Sequence, residues 1–284
     1  MHAVIWMTGA LVSFCLMAIG ARELSGEVSI FQILFFRSVI GLLFISSVIL
    51  FFKNKVSIRT KKIGLHSFRN VIHFFGQYGW FLGIGILPLA EVFALEFTVP
   101  IWTLIIAAIF LGEAITTTKF ISVFLGMIGV LVIVQPGYAI MNSASFIVLA
   151  AAICYAISHT VTKSLSSSES AISILFYMCL IQLPIGLLLS LANWSWPIGE
   201  QWLWLIVIGF TALSAHYCMT KAMKYAEVTT VVTMDFFRLP LIALVGMFFY
   251  AEQFKMSLIV GGGLMLIGNL IRVQPPSTAK RGDT

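Results

Sequence analysis

The sequence predicts an all-α integral membrane protein with ten transmembrane helices, arranged as two inverted repeats of five helices each. Three observations support this fold class. The chain of 284 residues is 60% hydrophobic and only 10% charged, whereas soluble domains are about half apolar and a quarter charged. Its apolar residues form continuous runs that are long enough to cross a bilayer as helices. Short motifs from the first half of the chain return in the second half.

The apolar runs define the predicted helices 1 to 10. Each run is continuous and does not alternate between polar and apolar residues, which favours helices over barrel strands. The first run resembles a secretory signal because Ala18 to Ala21 offers small residues for cleavage, but no Lys or Arg precedes it, so we assign it as helix 1. Five runs fall in each half: 3–20, 30–52, 66–86, 90–111, 118–135, 143–162, 171–191, 201–220, 228–250 and 256–273.

The repeated motifs align the two halves. Ala90-Glu91-Val92 returns as Ala226-Glu227-Val228, and Glu96-Phe97 with Pro100 returns as Asp235-Phe236 with Pro240. From Glu96 and Asp235 onward the offset between the halves is 235 − 96 = 139 residues. We therefore predict a first repeat over residues 1–137, a second over 138–275 and a short tail over 276–284. Matched halves in a membrane chain are typical of transporters.

The distribution of Lys and Arg predicts the orientation. With a cytoplasmic N-terminus, thirteen basic residues fall in cytoplasmic loops or the tail, and only Arg22 and Lys255 fall outside. The positive-inside rule therefore places both termini in the cytoplasm. An odd number of helices per repeat inverts the second half relative to the first. The basic loop from Lys53 to Lys62 is explained by topology and contact with anionic lipid, and no nucleic-acid partner is predicted.

Four charged residues lie at membrane depth within predicted helices, where each costs about 2.5 to 3.5 kcal/mol on insertion scales. The arginine of helix 2 either anchors a substrate carboxylate or phosphate, pairs with the acid of helix 4, or forms a fixed structural ion pair. The acids of helices 4 and 9 occupy equivalent positions, each ahead of a proline that lets its helix bend. Either acid is suited to bind a cationic group or to carry a proton, or the second merely pairs with an arginine on its own helix. The four residues are Arg37, Glu96, Asp235 and Arg238.

Polar and aromatic residues on three further helices complete the predicted site. Those of helix 3 share one face by helical spacing and either line a wet cavity or form hydrogen bonds between helices. The tryptophan among them either stacks on a ring-shaped substrate or packs. The histidines either complete the cavity wall or are satisfied within the bundle; with no supporting Cys spacing they do not predict a metal site. The set is Asn70, His73, Gln77 and Trp80 in helix 3, Tyr155 and His159 in helix 6, and His216 in helix 8.

Several motifs are absent from the sequence. It contains no Gly-x-x-x-x-Gly-Lys-Ser/Thr loop, no His-Glu-x-x-His and no Gly-x-Ser-x-Gly, so we predict neither an ATP-driven pump nor an enzyme, and no cofactor. Four cysteines lie in helices at unrelated spacings and are interpreted as packing residues. Glycines in helices 5 and 10 predict close helix contacts, either within the molecule or across a homodimer interface.

A family resemblance rests on several short elements in combination. They are Phe35-Phe36-Arg37 in helix 2, the Pro88-Leu89-Ala90-Glu91 turn, Pro100, Leu111-Gly112-Glu113, and Gly126 with Gly129 leading into Gln135-Pro136-Gly137. The chain thereby resembles the EamA family of the drug/metabolite transporter superfamily over essentially its whole length. The second half departs from the pattern, because Tyr250-Ala251-Glu252 replaces Leu-Gly-Glu and Met265 stands in the place of Gly126.

The resemblance implies a carrier of small organic solutes in the bacterial inner membrane. It places helices 1 to 4 and 6 to 9 around a central cavity and helices 5 and 10 at the periphery. The tract from Arg69 to Glu113 and the segment from Asp235 to Pro240 are similar to branches that take up S-adenosylmethionine or riboflavin, and amino acids are also substrates in the family. We therefore expect a secondary transporter that works by alternating access. The alternative is a membrane scaffold or lipid-handling protein that transports nothing. The sequence leaves the direction of transport and its coupling to protons open.

Overall fold

The computed structural model describes residues 2–51, 58–87, 89–134, 143–249 and 256–273, and contains no strand within these ranges. All ten predicted segments are helical there. The motif residues 135–137, 250–252 and 274–275, the basic loop at 52–57 and the tail at 276–284 lie outside the described residues. The helices are α1 (His2–Glu23), α2 (Ile30–Phe51), α3 (Ile63–Ile86), α4 (Leu89–Glu96), α5 (Val99–Leu111), α6 (Thr117–Val134), α7 (Ser143–Ser166), α8 (Ala171–Ser190), α9 (Gln201–Tyr225), α10 (Val228–Met234), α11 (Arg238–Phe249) and α12 (Met256–Val273).

Predicted helices 4 and 9 are each broken beside their acidic residue. Helix 4 consists of α4, which ends at Glu96, and α5, which begins at Val99. Helix 9 consists of α10 and α11, joined by a 3₁₀ turn over Asp235–Phe237. Pro100 and Pro240 lie just beyond these breaks, and neither has an N–H to donate to the preceding turn. The two breaks therefore lie at equivalent points of the two halves.

Length and hydropathy identify membrane-spanning helices directly. Among the described residues, five helical segments are long and apolar enough to cross a bilayer: His2–Glu23, Ile30–Phe51, Ser143–Ser166, Ala171–Asn193 and Gln201–Tyr225. The helices α5, α6 and α12 contain shorter apolar stretches. Helix α3 has the same length as α7 but carries Arg69, Asn70, His73 and Gln77, all buried inside the bundle. The protein is thus a multi-pass membrane protein in which α3 directs a polar face toward the interior.

The most extensive helix contacts join the first half of the chain to the second. Helix α1 packs against α9, α3 against α7, α2 against α8, and α6 against α12. The apolar core therefore lies between the halves, and it includes Met7 and Phe14 of α1 with Ile208 and Met219 of α9.

Glycines of α6 allow close contacts with α12 and with the 3₁₀ turn of helix 9. A Cβ atom on Gly129 of α6 would lie 2.6 Å from the carbonyl oxygen of Gly261 on α12, and one on Gly126 would lie 2.2 Å from the ring of Phe236. Because neither distance leaves room for a methyl group, these glycines serve packing within the molecule. A homodimer interface stays a prediction.

Polar contacts cluster at the end of the bundle where His2 of α1 stacks on Tyr225 of α9. The carboxylate of Glu113, which follows α5, accepts hydrogen bonds from the Val228 amide (2.9 Å) and the Thr229 hydroxyl (2.8 Å) at the start of α10. Lys119 of α6 bridges Glu113 (3.4 Å) and Glu227 (3.0 Å). We call these five residues the Glu113 cluster; they tie the first half of the chain to the second.

Candidate functional site

A buried cavity lies between the two halves at the level of the helix breaks. Its walls come from α1, α2, α3, α4, α7, α9 and the segment from Asp235 to Arg238. Ten of the eleven site residues predicted from sequence line it: Arg37, His73, Gln77, Trp80, Glu96, Tyr155, His159, His216, Asp235 and Arg238.

Three of the four intramembrane charges form one ion cluster in this wall. The Arg238 Nη2 atom donates to Glu96 Oε1 at 2.5 Å and to Asp235 Oδ2 at 2.9 Å. The other Glu96 oxygen accepts a hydrogen bond from the indole N–H of Trp80 at 2.7 Å. Glu96 is therefore held from two sides, and the polar edge of Trp80 is committed to it. The cluster carries one positive and two negative charges.

Aromatic rings surround the guanidinium of Arg238. Its Cζ atom lies 5.1 Å from the centre of the Phe14 ring, 5.4 Å from that of Phe97 and 6.0 Å from that of Phe93. Cation–π contacts of this kind stabilise a desolvated cation by about 1 to 2 kcal/mol. Arg238 is thereby fixed between α1, α4 and its own helix, and it joins the two breaks.

Arg37, the fourth intramembrane charge, has a different environment. Its Nη2 atom donates to Gln182 Oε1 of α8 at 2.7 Å. Within the described part of the chain, no carboxylate oxygen lies within 4.0 Å of its guanidinium. The pair of Arg37 with Glu96, one of the alternatives that the sequence left open, is not formed in this conformation, because Arg238 and Trp80 already occupy the Glu96 carboxylate.

The histidines and a tyrosine form the middle of the cavity wall. The ring centres of His73 and His216 are 4.8 Å apart, those of His73 and Tyr155 are 5.7 Å apart, and those of Tyr155 and His159 are 6.2 Å apart. No group of three or more His, Cys, Asp or Glu side chains that could hold a metal occurs in the described ranges. The arrangement offers ring faces and N–H or O–H groups to a ligand.

Asn70 is the one predicted site residue that does not line the cavity. It is fully buried and accepts a hydrogen bond from Arg69 Nη1 at 2.6 Å, while its amide donates to the Tyr177 carbonyl at 3.2 Å. This hydrogen bond between α3 and α8 agrees with the alternative interpretation, in which polar residues of α3 form hydrogen bonds between helices and do not line a wet cavity. Asn70 supports Arg69, which also binds the Thr162 hydroxyl of α7 at 3.1 Å.

Sequence reasoning missed four apolar lining residues and the partner of Arg37. Apolar residues in a membrane helix give no pattern that separates a cavity wall from packing. The amide of Gln182, by contrast, is an isolated polar group in an apolar helix and could have been found by that criterion. The four apolar residues are Phe14, Met17, Phe81 and Met219.

The cavity is narrow in this conformation. The volume in which a water molecule can be centred is about 30 Å³, enough for about two waters. Any organic ligand therefore requires the surrounding helices to move apart.

A family model matches both halves of the chain. The EamA-like transporter family model matches residues 1–135 and again residues 142–273. The chain belongs to the EamA-like transporter family. Membership confirms the family resemblance, and the names of the family and of its relatives indicate a membrane transporter.

Named relatives of this EamA-like chain include uptake transporters, vitamin transporters and an exporter. The S-adenosylmethionine uptake transporter of Rickettsia felis is 26% identical over 269 residues, covering 93% of this chain and 90% of the relative. The riboflavin transporter of Brucella anthropi is 31% identical over 232 residues, covering 79% and 81%. A solved crystal structure at 16% identity matches with a TM-score of 0.79 over 95% of this chain and 96% of that protein, and so supports the fold alone.

Proposed function

We propose that this protein is a secondary carrier that moves a small organic metabolite across the bacterial inner membrane by alternating access. In this proposal the substrate occupies the cavity between the halves. The ten lining residues predicted from sequence contact it, with Arg37 facing an anionic group and the Glu96–Asp235 pair facing a cationic one. Asn70 acts through its contact with Arg69.

The observation that carries the proposal is the ion cluster at the two helix breaks. Glu96 belongs to the first half and Asp235 is its counterpart in the second, and a single guanidinium holds both. Buried ion pairs add little net stability because desolvation offsets the attraction between the charges. Charged groups placed at broken helices inside a membrane bundle are typical of substrate and ion sites.

The packing supports a carrier built from two related halves. Exchanging the halves converts the α1–α9 contact into the α7–α3 contact and leaves α2–α8 and α6–α12 unchanged. Such an exchange is expected for repeats related by a two-fold axis, which we propose lies in the membrane plane. In an inverted pair the two halves can exchange conformations, which opens the cavity first to one side and then to the other.

The proposed cargo is suggested by the relatives and the lining residues together. Relatives named as S-adenosylmethionine and riboflavin transporters suggest a metabolite with a planar ring system, and an amino-acid-like solute is the third candidate. The rings of His73, Tyr155 and His216 are available to pack against a flat substrate. Both termini are proposed to be cytoplasmic, so that the Glu113 cluster closes the cytoplasmic end.

Reconstituted protein tests this proposal. Purified protein in liposomes is offered labelled S-adenosylmethionine, riboflavin and a set of amino acids, with and without a pH gradient, in both directions. We expect saturable movement of at least one solute and none in empty liposomes. A scaffold or lipid-handling protein would move none of them, and its cavity variants would fail to fold rather than fail to transport.

A further inference from the structure

A chain of hydrogen bonds links three helices at one side of the cavity. Arg37 Nη2 of α2 donates to Gln182 Oε1 of α8 at 2.7 Å, and Gln182 Nε2 contacts His73 Nδ1 of α3 at 3.0 Å. The three side chains are nearly inaccessible, at 4%, 1% and 0% exposure. Their order in the chain of hydrogen bonds fixes which atoms donate and which accept.

Arg37 determines which groups donate and which accept along this chain of hydrogen bonds. A guanidinium has donors only, so Gln182 must turn its carbonyl oxygen toward Arg37. Its NH₂ group then faces His73, and it also donates to the carbonyl oxygen of Asn70 at 3.1 Å. His73 Nδ1 consequently accepts, and an imidazole that accepts at Nδ1 carries its proton on Nε2.

The resulting N–H group of His73 has no partner. His73 Nε2 is buried and makes no hydrogen bond within the described part of the chain. An unsatisfied buried donor is unfavourable by about 1 to 3 kcal/mol. Both His73 and Arg37 line the cavity. The cavity thus contains a buried cation that lacks a carboxylate and a buried N–H group that lacks an acceptor.

The partners of the three buried arginines also indicate that Arg37 lacks an anionic partner. Among the described intramembrane charges, Arg238 faces two carboxylates, whereas Arg37 faces a neutral amide. Arg69, also buried, is bound by Asn70 and Thr162, which are neutral as well. Within the described residues, neither Arg37 nor Arg69 therefore has a carboxylate oxygen within 4.0 Å.

We propose that Arg37 and His73 form a subsite for a carboxylate of the transported metabolite, and that Gln182 is the positioning residue that orients both. This inference rests on the proposed function, and it narrows the cargo to carboxylate-bearing solutes. One guanidinium and one neutral N–H match the two oxygens and single charge of a carboxylate. A phosphate, with three acceptor oxygens and up to two charges, would leave part of its charge unmatched.

Matched ligand pairs test the subsite by equilibrium binding to the purified protein. Two pairs differ by one carboxylate: S-adenosylmethionine with its decarboxylated form, and lysine with cadaverine. A third pair, riboflavin and riboflavin 5′-phosphate, tests phosphate. We expect the wild type to prefer the carboxylate-bearing member of at least one pair by about tenfold to a hundredfold.

Three variants separate the subsite from general stability. Arg37→Gln and Gln182→Leu should abolish the preference within the pair while leaving the decarboxylated member bound as before, since a merely structural defect would weaken both members alike. The matched control is Gln32→Leu. Gln32 is a buried amide like Gln182, but it lies on α2 and donates to the Ser195 carbonyl at 2.6 Å, away from the cavity. This control should keep the wild-type preference.

The remaining outcomes contradict the subsite in distinguishable ways. Equal binding of both members by the wild type, or a preference that survives Arg37→Gln, overturns the assignment. Preference for riboflavin 5′-phosphate over riboflavin, without a carboxylate preference, replaces it with a phosphate site. Binding and transport of riboflavin alone overturns the subsite and leaves the carrier proposal standing. If the wild type neither binds nor transports any probe, both proposals are overturned.

Discussion

Glu96 is the residue on which most of the cavity geometry depends. It ends α4, accepts from Trp80 and Arg238, and lies across the helix break from Pro100. A buried carboxylate with two charge-compatible donors is well satisfied. It can therefore exchange one donor for a cationic substrate group without being left unpaired.

The first prediction concerns the charge of Glu96. Glu96→Gln keeps an acceptor for Trp80 or Arg238 but removes the negative charge, and hydrogen bonds to charged groups contribute about 1.5 to 3 kcal/mol. We expect uptake into proteoliposomes to fall by about tenfold or more while insertion and folding persist. Glu200→Gln, at an exposed position outside the cavity, is the matched control and should transport normally. Loss of folded protein in Glu96→Gln would favour a purely structural role.

The second prediction concerns the guanidinium that joins the breaks. Arg238→Met leaves Glu96 and Asp235 buried without their cation, and breaking a buried pair from one side costs about 3 to 5 kcal/mol. We expect a marked drop in the thermal midpoint of the detergent-solubilised protein. Adding Glu96→Gln and Asp235→Asn to Arg238→Met should recover much of that loss. A triple variant no more stable than Arg238→Met would show that the charges are not coupled.

At the residue scale, the sequence predicted which charged side chains line the cavity better than it predicted their partners. The intramembrane position of Arg37, Glu96, Asp235 and Arg238 made all four candidates, and all four line one cavity. The sequence offered the Asp235–Arg238 pair, but it did not reveal that Arg238 also binds Glu96 and leaves Arg37 to Gln182. That choice depends on how helices distant in sequence are rotated against each other, which hydrophobicity alone does not determine.

At the element scale, the broken helices were the best predicted feature. A proline removes one helical hydrogen bond and crowds the preceding turn, so the sequence positions of Pro100 and Pro240 predicted a bend near each acid. The structure places the breaks at Phe97–Thr98 and Asp235–Phe237. The 3₁₀ geometry of the second break was not predictable, because both α and 3₁₀ turns accommodate the same residues.

The third prediction compares two glycines, one on α6 and one on α12. Gly129→Ala would place a Cβ atom 2.6 Å from the Gly261 carbonyl oxygen, whereas Gly263→Ala would meet nothing within 4 Å. The first change should destabilise the protein by about 1 to 3 kcal/mol through overpacking. The second should be neutral or slightly stabilising, because Ala favours helix over Gly. Thermal unfolding measures both, and equal effects would contradict the described contact.

The fourth prediction concerns the proposal that the Glu113 cluster closes the cytoplasmic end of the bundle and so restricts access to the cavity. Glu113→Ala removes the acceptor for the start of α10 and one partner of Lys119. We expect Met219→Cys, in a background without native cysteines, to react about tenfold faster with a thiol reagent applied from the cluster side. Glu200→Ala serves as the control. An unchanged rate would show that the cluster does not restrict access to the cavity.

At the scale of the whole molecule, the cavity is a property of the contact between the halves. The repeated motifs predicted two related halves, and the family model matches once in each. The sequence could not show that α1 packs on α9 and α3 on α7, because a repeat specifies similar units and not their docking. The docking brings Glu96 and Asp235 to one arginine, although they are 139 positions apart.

The central claim is that the substrate is carried in the cavity between the halves. The most direct measurement is uptake of the labelled metabolite panel into proteoliposomes by the wild type, Glu96→Gln, Arg37→Gln and the control Gln32→Leu, with folding verified for each. The account predicts that the wild type and Gln32→Leu take up at least one solute, and that uptake of that solute by the two cavity variants falls by about tenfold or more. Equal transport by folded cavity variants, or no transport of any solute in either direction by the wild type, would contradict it.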